Sequence, residues 1–289
     1  MTIRRKKYGR GHAYYDERPG RAPVKLPGVT TIIREAMAPS RGLRRWPGKV
    51  TARYAVDYWD ELAGLLPTAR LDRLEAAQDE ASRSAKAKGG DIHRLAEQII
   101  AGDEVEVPEA LAGYADSYVD FLDRYGVKTV AAELVVGSRK ERYCGTLDVI
   151  GDLPEVTCEG ERIPAGRWLL DLKSGASGIW PETALQTCAY SRAEVYLGSD
   201  GAEHPVSELG VDRCGAVHVR ADGWDLVPLA TGEPVWQFFR RLAWLYHHAE
   251  AKDGWVGAAA EPPPPAADRR VPYREAWTDL ALAEVQGAT

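Results

Sequence analysis

The chain has 289 residues, a formal net charge of −6 and an apolar fraction of 45 %. At roughly 150 residues per domain this is one large domain or two small ones, with apolar content that suits a buried core and excludes a wholly disordered chain. No apolar run approaches membrane-spanning length, and the basic start MTIRRKKYGR has no apolar stretch behind it, which argues against a secretory signal.

The charge is unevenly spread. Residues 1–50 carry 13 Lys/Arg against three Asp/Glu, whereas the remainder carries 24 against 40. A basic arm on an acidic body suits a polyanion, because phosphate attraction is local; a solvated basic tail explains the charge equally well. The arm is Arg-rich as a transit peptide is, but its first ten residues lack Ser and an apolar face. Cys144, Cys158, Cys188 and Cys214 are widely spaced with no CxxC pair. They read as free thiols in a reducing compartment, which implies a cytoplasmic location and neither disulfides nor a zinc site.

In chain order, residues 1–27 are rich in Gly, Arg and Tyr and read as an arm or hairpin. LPGVTTIIREAM follows, a turn at Pro27-Gly28 and then a β-branched run leading into a short helix. Helical spacing runs from Val50 to Leu66, Pro67 breaks it, and a second, half-polar helix runs to Gly89-Gly90. DIHRLAEQIIAG is a third helix, with Asp91 as N-cap and Gly102 as stop, and PEALAGYADSYVDFLDRYG a fourth, opened by Pro108 and ended by Gly126. The period then changes. TVAAELVVG, YCGTLDVIGDL and RWLLDLKSG read as three successive strands, with the polar turn PEVTCEGERIPAG before the last. PETALQTCAYSRAEVYLG is a helix, RCGAVHVRADGWDLVPL a hairpin and EPVWQFFRRLAWLYHHAEAKDG a long amphipathic helix. The expected organisation is a basic, helical N-terminal region over 1–88, an α/β core with a mixed sheet over 89–256, and a Pro-rich linker with a short helix over 257–289.

Two acids interrupt neighbouring apolar strands at matching places, Asp148 in GTLDVI and Asp171 in LLDLKSG. Like charges this close repel, so something positive belongs between them. A divalent cation satisfies both, and Mg²⁺ characteristically uses one or two carboxylates, waters and substrate phosphates. Lys173 shares the strand face of Asp171, where it would orient or help deprotonate an attacking water and offset charge building on a phosphate. Glu133 interrupts the first strand in the same way. Gln186 and Tyr190 are four apart on one helix face, as are His93 and Glu97 on another; a His ligand tilts preference toward Mn²⁺ without excluding Mg²⁺. Each has a bland reading too: a helix-surface histidine, a strand-edge solvating group, simple packing. Glu97 reads as an ion-pair or capping residue, His218 and the His247-His248 pair as structural, and His12 and His204 as loop residues.

Together, GTLDVI, LLDLKSG and ETALQTCAY resemble the G-x-x-D, D-x-K and Q-x-x-x-Y series of the PD-(D/E)XK nuclease superfamily. More narrowly they are similar to its RecB-like branch, which includes phage exonucleases and has a histidine on a helix ahead of the sheet, matched here by His93 in GGDIHRLAEQI. The match covers Gly89 to Tyr190. The resemblance implies a restriction-endonuclease-like αβββαβ core and metal ligation by His93, Asp148, Asp171 and the Leu172 carbonyl. It makes Lys173 the catalytic lysine, and gives Gln186 and Tyr190 the task of holding the DNA backbone or that lysine. Glu133 stands where an acid is often found near the active site. The activity implied is that of a deoxyribonuclease using one or two Mg²⁺ or Mn²⁺ ions, an exonuclease acting on single- or double-stranded DNA with free ends. The alternatives are a site-specific or structure-specific endonuclease, or a nuclease-like module that binds without cutting. Some RecB-like nucleases hold an iron–sulfur cluster on one upstream and three downstream cysteines. Cys144 and Cys188 lie inside the nuclease motifs instead, so no cluster is expected. Tyr8, Tyr14, Tyr15 and Trp46 among the arginines would stack bases of a guided strand, or pack on the sheet.

Overall fold

A computed structural model describes residues 2–8, 11–38, 41–175, 178–249, 255–257 and 259. The basic arm is a folded element. Strands β1 (Thr2–Tyr8) and β2 (Gly11–Glu17) form an antiparallel hairpin, and β3 (Val24–Leu26) pairs with β2. Its inner face buries Ile3, Tyr14 and Leu26 against Val135 and Cys144, so its alternate Arg and Lys side chains face outward. Gly28 bridges to Cys144 and starts α1 (Val29–Ala36), whose Val29, Ile32 and Ile33 form one buried stripe.

Helices α2 (Arg41–Asp57), α3 (Trp59–Ala63) and α4 (Pro67–Ala101) follow. The stop expected at Gly89-Gly90 is absent: α4 continues through both glycines for 35 residues and ends where Gly102 takes the left-handed conformation. Asp91 is therefore no N-cap, and its carboxylate receives Arg94 one turn on instead. Glycines inside a helix cost stability without forbidding it. The second half of α4 buries Ile92, Leu95 and Ala96, and that packing outweighs the two weak positions. The domain boundary placed at residue 89 thus falls inside one helix, and Met1–Ala249 make one compact unit. The linker and last helix expected over 257–289 lie outside the described residues except for 257 and 259.

Helix α5 (Ala112–Tyr125) ends at left-handed Gly126 as its sequence predicts. Strands β4 (Lys128–Ser138), β5 (Tyr143–Leu153) and β8 (Gly166–Lys173) form an antiparallel meander, with the small hairpin β6 (Val156–Cys158) and β7 (Glu161–Ile163) in the polar segment. Helix α6 (Pro181–Ser191) and two short strands unanticipated from the sequence, β9 (Val195–Leu197) and β10 (Glu203–Pro205), lead to β11 (Arg213–Arg220), which lies parallel to β8. The hairpin partner β12 (Gly223–Leu229) and helix α7 (Glu233–His248) close the unit. The seven-stranded mixed sheet has the order β10-β9-β4-β5-β8-β11-β12. One face packs on α1, α6 and α7 through Leu147, Ile150 and Leu169. The other packs on α4 and α5 through Val149, Leu170 and Leu172. Strand β8 is covered on both sides, which is why its sequence is a continuous apolar run until the acid.

The helical Gly90 provides a test. A Cβ there meets nothing within 4 Å, so Gly90→Ala is expected to stabilise the protein by about 0.5–1 kcal/mol, a rise of roughly 2–4 °C in Tm. A fall in Tm by calorimetry would mean that the chain breaks at this point.

Candidate active site

Strands β5 and β8 pair as far as Val149↔Leu170. The next residues in that register are Asp148 and Asp171, and here the backbone ladder gives way. The Asp148 carboxylate enters the gap and accepts the Leu172 N–H at 2.8 Å from Oδ2. On the other side of β5, Glu133 is opposite Asp148 between the pairs Ala132↔Val149 and Leu134↔Leu147. Its φ of 52° puts a non-glycine residue in the left-handed region, an outlier of the kind that clusters at functional sites. Three acids thus form one row across β4, β5 and β8.

Asp171 is 1 % exposed. Its Oδ1 accepts Gln186 Nε2 at 2.8 Å, and its Oδ2 meets the Lys173 ammonium. Gln186 also donates to the Tyr190 hydroxyl at 3.3 Å and reaches toward Lys173 with its Oε1, at 3.5 Å. The i, i+4 spacing on α6 therefore aims both side chains at the two strand ends. Tyr190 lies over Gly145, where any Cβ would collide with its ring. That is the physical reason for glycine three residues before Asp148.

From the opposite helical layer, His93 on α4 brings Nδ1 to 3.6 Å from Asp148 Oδ2, and its ring bonds to the Leu172 carbonyl. His93, Glu97, Glu133, Asp148 and Leu172 line a small cavity of about 10 Å³, room for roughly one water-sized particle. Glu97, which reads from sequence as an ion-pair or capping residue, is part of this lining. His218 was not expected here either. It pairs in register with Lys173 and holds the Gly175 carbonyl at 2.8 Å from Nε2, while Arg220 donates to its Nδ1 at 3.2 Å. Arg has only donors, so Nδ1 accepts and Nε2 carries the proton. His204 lies on β10 beside Asp200, and His12 on β2 beside the Tyr14 hydroxyl, so neither is a loop residue. The hydroxyl and ring of Tyr14 are committed to Thr146 and to the core of the small sheet, which removes it as a base-stacking platform.

The charges follow from burial. Burial, and next the like charge of Asp171, lift the Asp148 carboxyl to about 7. Burial followed by Asp148 and Glu97 also raises Glu133, against the opposing Arg5, whose Nη1 is 3.4 Å away. His93 is lowered by burial and by Lys173, which favours the neutral, ligating form of the imidazole. Burial works most strongly against the charge on Lys173, yet Asp171 and Asp148 outweigh it and raise its pKa. Lys173 is an ammonium in this arrangement. Burial drives the thiols of Cys144 and Cys188 up to about 12, so they are inert as thiolates, and none of the four cysteines is in a disulfide.

Among the described residues no three His, Cys, Asp or Glu side chains stand as a ready metal cage. The reason is local: Asp171 is engaged by Lys173 and Gln186, so the positive group beside it is the ammonium. The donor set still fits a hard divalent cation. A neutral imidazole, a carboxylate lifted to about 7 and a backbone carbonyl meet at the small cavity, and oxygen donors with one imidazole suit Mg²⁺ or Mn²⁺. Neither a comparison with protein-family models nor one with curated proteins finds a match for this chain.

Two outcomes are expected. Gly145→Ala should push Tyr190 off Gln186 and cost about 1–3 kcal/mol by overpacking, read as a lower denaturation midpoint; an unchanged midpoint would refute the contact. The second concerns pH. Asp148 titrates near 7 in the folded chain but near 3.8 when unfolded. Its ionisation therefore removes stability as pH rises between those values, and the loss is complete above about 7. In chelator, Asp148→Asn should melt higher than wild type near pH 8, by roughly 5 °C, and the gap should close toward pH 4. A wild type that melts higher at pH 8 would reverse the sign.

Proposed function

We propose that the chain is a metal-dependent deoxyribonuclease of the PD-(D/E)XK type, an exonuclease that hydrolyses phosphodiester bonds at DNA ends. One observation carries the reading: Glu133, Asp148 and Asp171 stand in a row on three adjacent strands, with Lys173 and Gln186 on Asp171 and His93 on Asp148. The order of helix, three antiparallel strands, helix and parallel strand through α5, β4, β5, β8, α6 and β11 supports the same fold type. So does the glycine of G-x-x-D beneath the tyrosine of Q-x-x-x-Y.

In this reading His93, Asp148, Asp171 and the Leu172 carbonyl hold one or two Mg²⁺ or Mn²⁺ ions. The bound metal supplies Lewis-acid polarisation of the scissile phosphate and a lowered pKa for the attacking water. The remaining work belongs to the chain. Lys173, held as an ammonium by the two aspartates, offsets negative charge growing on the phosphate oxygens. Gln186 fixes Asp171 and Lys173 relative to one another, and the Tyr190 hydroxyl, kept protonated by burial, fixes Gln186. His218 holds the Gly175 carbonyl two residues beyond Lys173.

The test is hydrolysis of end-labelled linear DNA and closed circular DNA with Mg²⁺, Mn²⁺ or chelator. Wild type should degrade the linear substrate only with metal and spare the circle. Asp171→Asn and Lys173→Ala should each lower the rate at least about a hundredfold. Cutting of the circle would make the enzyme an endonuclease. No metal-dependent hydrolysis of either DNA by wild type would sink the nuclease reading.

A further inference from the structure

A groove of about 730 Å³ opens beside the acidic row and ends on Glu133, Asp148 and Tyr190. One wall comes from the N-terminal sheet and the start of α1, the other from the β4–β5 turn and the end of α7. Arg5, Lys25, Arg34 and Arg142 line it beside His12 and His247, so its rim is basic through the Arg and Lys side chains while its floor is acidic. Arg5 and Arg34 have carboxylate neighbours in Glu133 and Glu35. Lys25 and Arg142 are exposed and have no ion-pair partner among the described residues.

Arg142 is also held in an unusual backbone state. Its φ is 55°, and the His247 ring nitrogen bonds to its carbonyl at 3.1 Å. The turn that carries this cation is thus fixed from α7, at the cost of left-handed strain in a residue with a Cβ. Across the groove, α1 begins at Gly28 with no acidic residue in its first turn, and Thr30 and Thr31 line the space. The positive end of that helix adds to the field of the rim.

The depth of the acids decides what kind of polyanion fits. The floor acids are recessed, the Glu133 side chain 27 % and the Asp148 side chain 15 % exposed, and Tyr190 beside them is 4 % exposed. A phosphate on the outside of a stiff duplex would meet the rim before the floor, whereas an unpaired strand bends and descends. We propose that this groove binds a short run of unpaired nucleic acid strand, with Lys25 and Arg142 clasping its phosphates from opposite walls. The proposal rests on the nuclease reading for the destination of the strand. It extends that reading to the substrate: a single strand, or the frayed end of a duplex.

Binding is measured by fluorescence anisotropy with labelled oligothymidylate and a duplex of equal length, in chelator, over a salt series. The wild type should bind the single strand at least about tenfold more tightly than the duplex. Lys25 is exposed, and Arg142→Gly relieves the backbone strain, so the Lys25→Ala/Arg142→Gly pair preserves the fold. It should weaken single-strand binding about tenfold and flatten the slope of log K against log salt by about 1.4, or 0.7 per lost phosphate contact. Lys25→Arg should bind as wild type does. Equal affinity for duplex, or an unaltered slope in the double variant, would overturn the proposal. Because the assay needs neither metal nor hydrolysis, strand binding without cutting would remove only the nuclease reading, and cutting with an indifferent groove only this one.

Discussion

The insertion of one carboxylate between two strands organises the rest of the molecule. Strands β5 and β8 pair normally to Val149↔Leu170, and then Asp148 Oδ2 takes the Leu172 N–H in place of a backbone partner. A side chain that substitutes for a ladder bond keeps the buried N–H satisfied while it lets the strands separate. The separation creates the place where helices from both faces of the sheet meet. His93 arrives from α4 and Gln186 from α6, and each touches one of the two aspartates. Without that break the two helical layers would be divided by a continuous sheet.

The same arrangement makes the site electrostatically expensive. Of the three acids in a row, burial and like charge raise two, Glu133 and Asp148, the latter to about 7. Lys173 offsets part of that cost by direct contact with Asp171. The proposed cation would offset the rest, and an anionic substrate would then meet a centre that is positive at the reacting phosphate. Burial of this kind is unfavourable for folding and useful for phosphoryl chemistry, since fixed charges act more strongly where water is scarce. The two hydrophobic clusters, one on each face of the sheet around Leu169 and Leu170, supply the rigidity that such a centre needs.

The N-terminal segment changes meaning once folded. As a sequence it is a run of Arg, Lys and Tyr that suits a tail or a hairpin equally. Its sheet packs Ile3, Tyr14 and Leu26 over Val135 and Cys144, which makes it a fixed wall of the groove. The tyrosines accordingly divide. Tyr14 is committed to Thr146, while Tyr8 remains 58 % exposed.

Short-range pattern determined much of this from the sequence alone. The strand limits of β4, β5 and β8, the paired aspartates, Lys173 on the face of Asp171, and the shared face of Gln186 and Tyr190 all follow from periods of two and 3.6. So do the closing glycines of α4 and α5, because left-handed backbone at a helix end selects Gly. What only the tertiary structure decided depends on residues far apart in the chain. The continuity of α4 through Gly89-Gly90 rests on packing that local propensity cannot contain. Glu97 in the small cavity, His218 behind Lys173, and Lys25 and Arg142 in the lining of one groove are set by how layers stack, and a single strand or helix carries no record of the neighbour that will cover it.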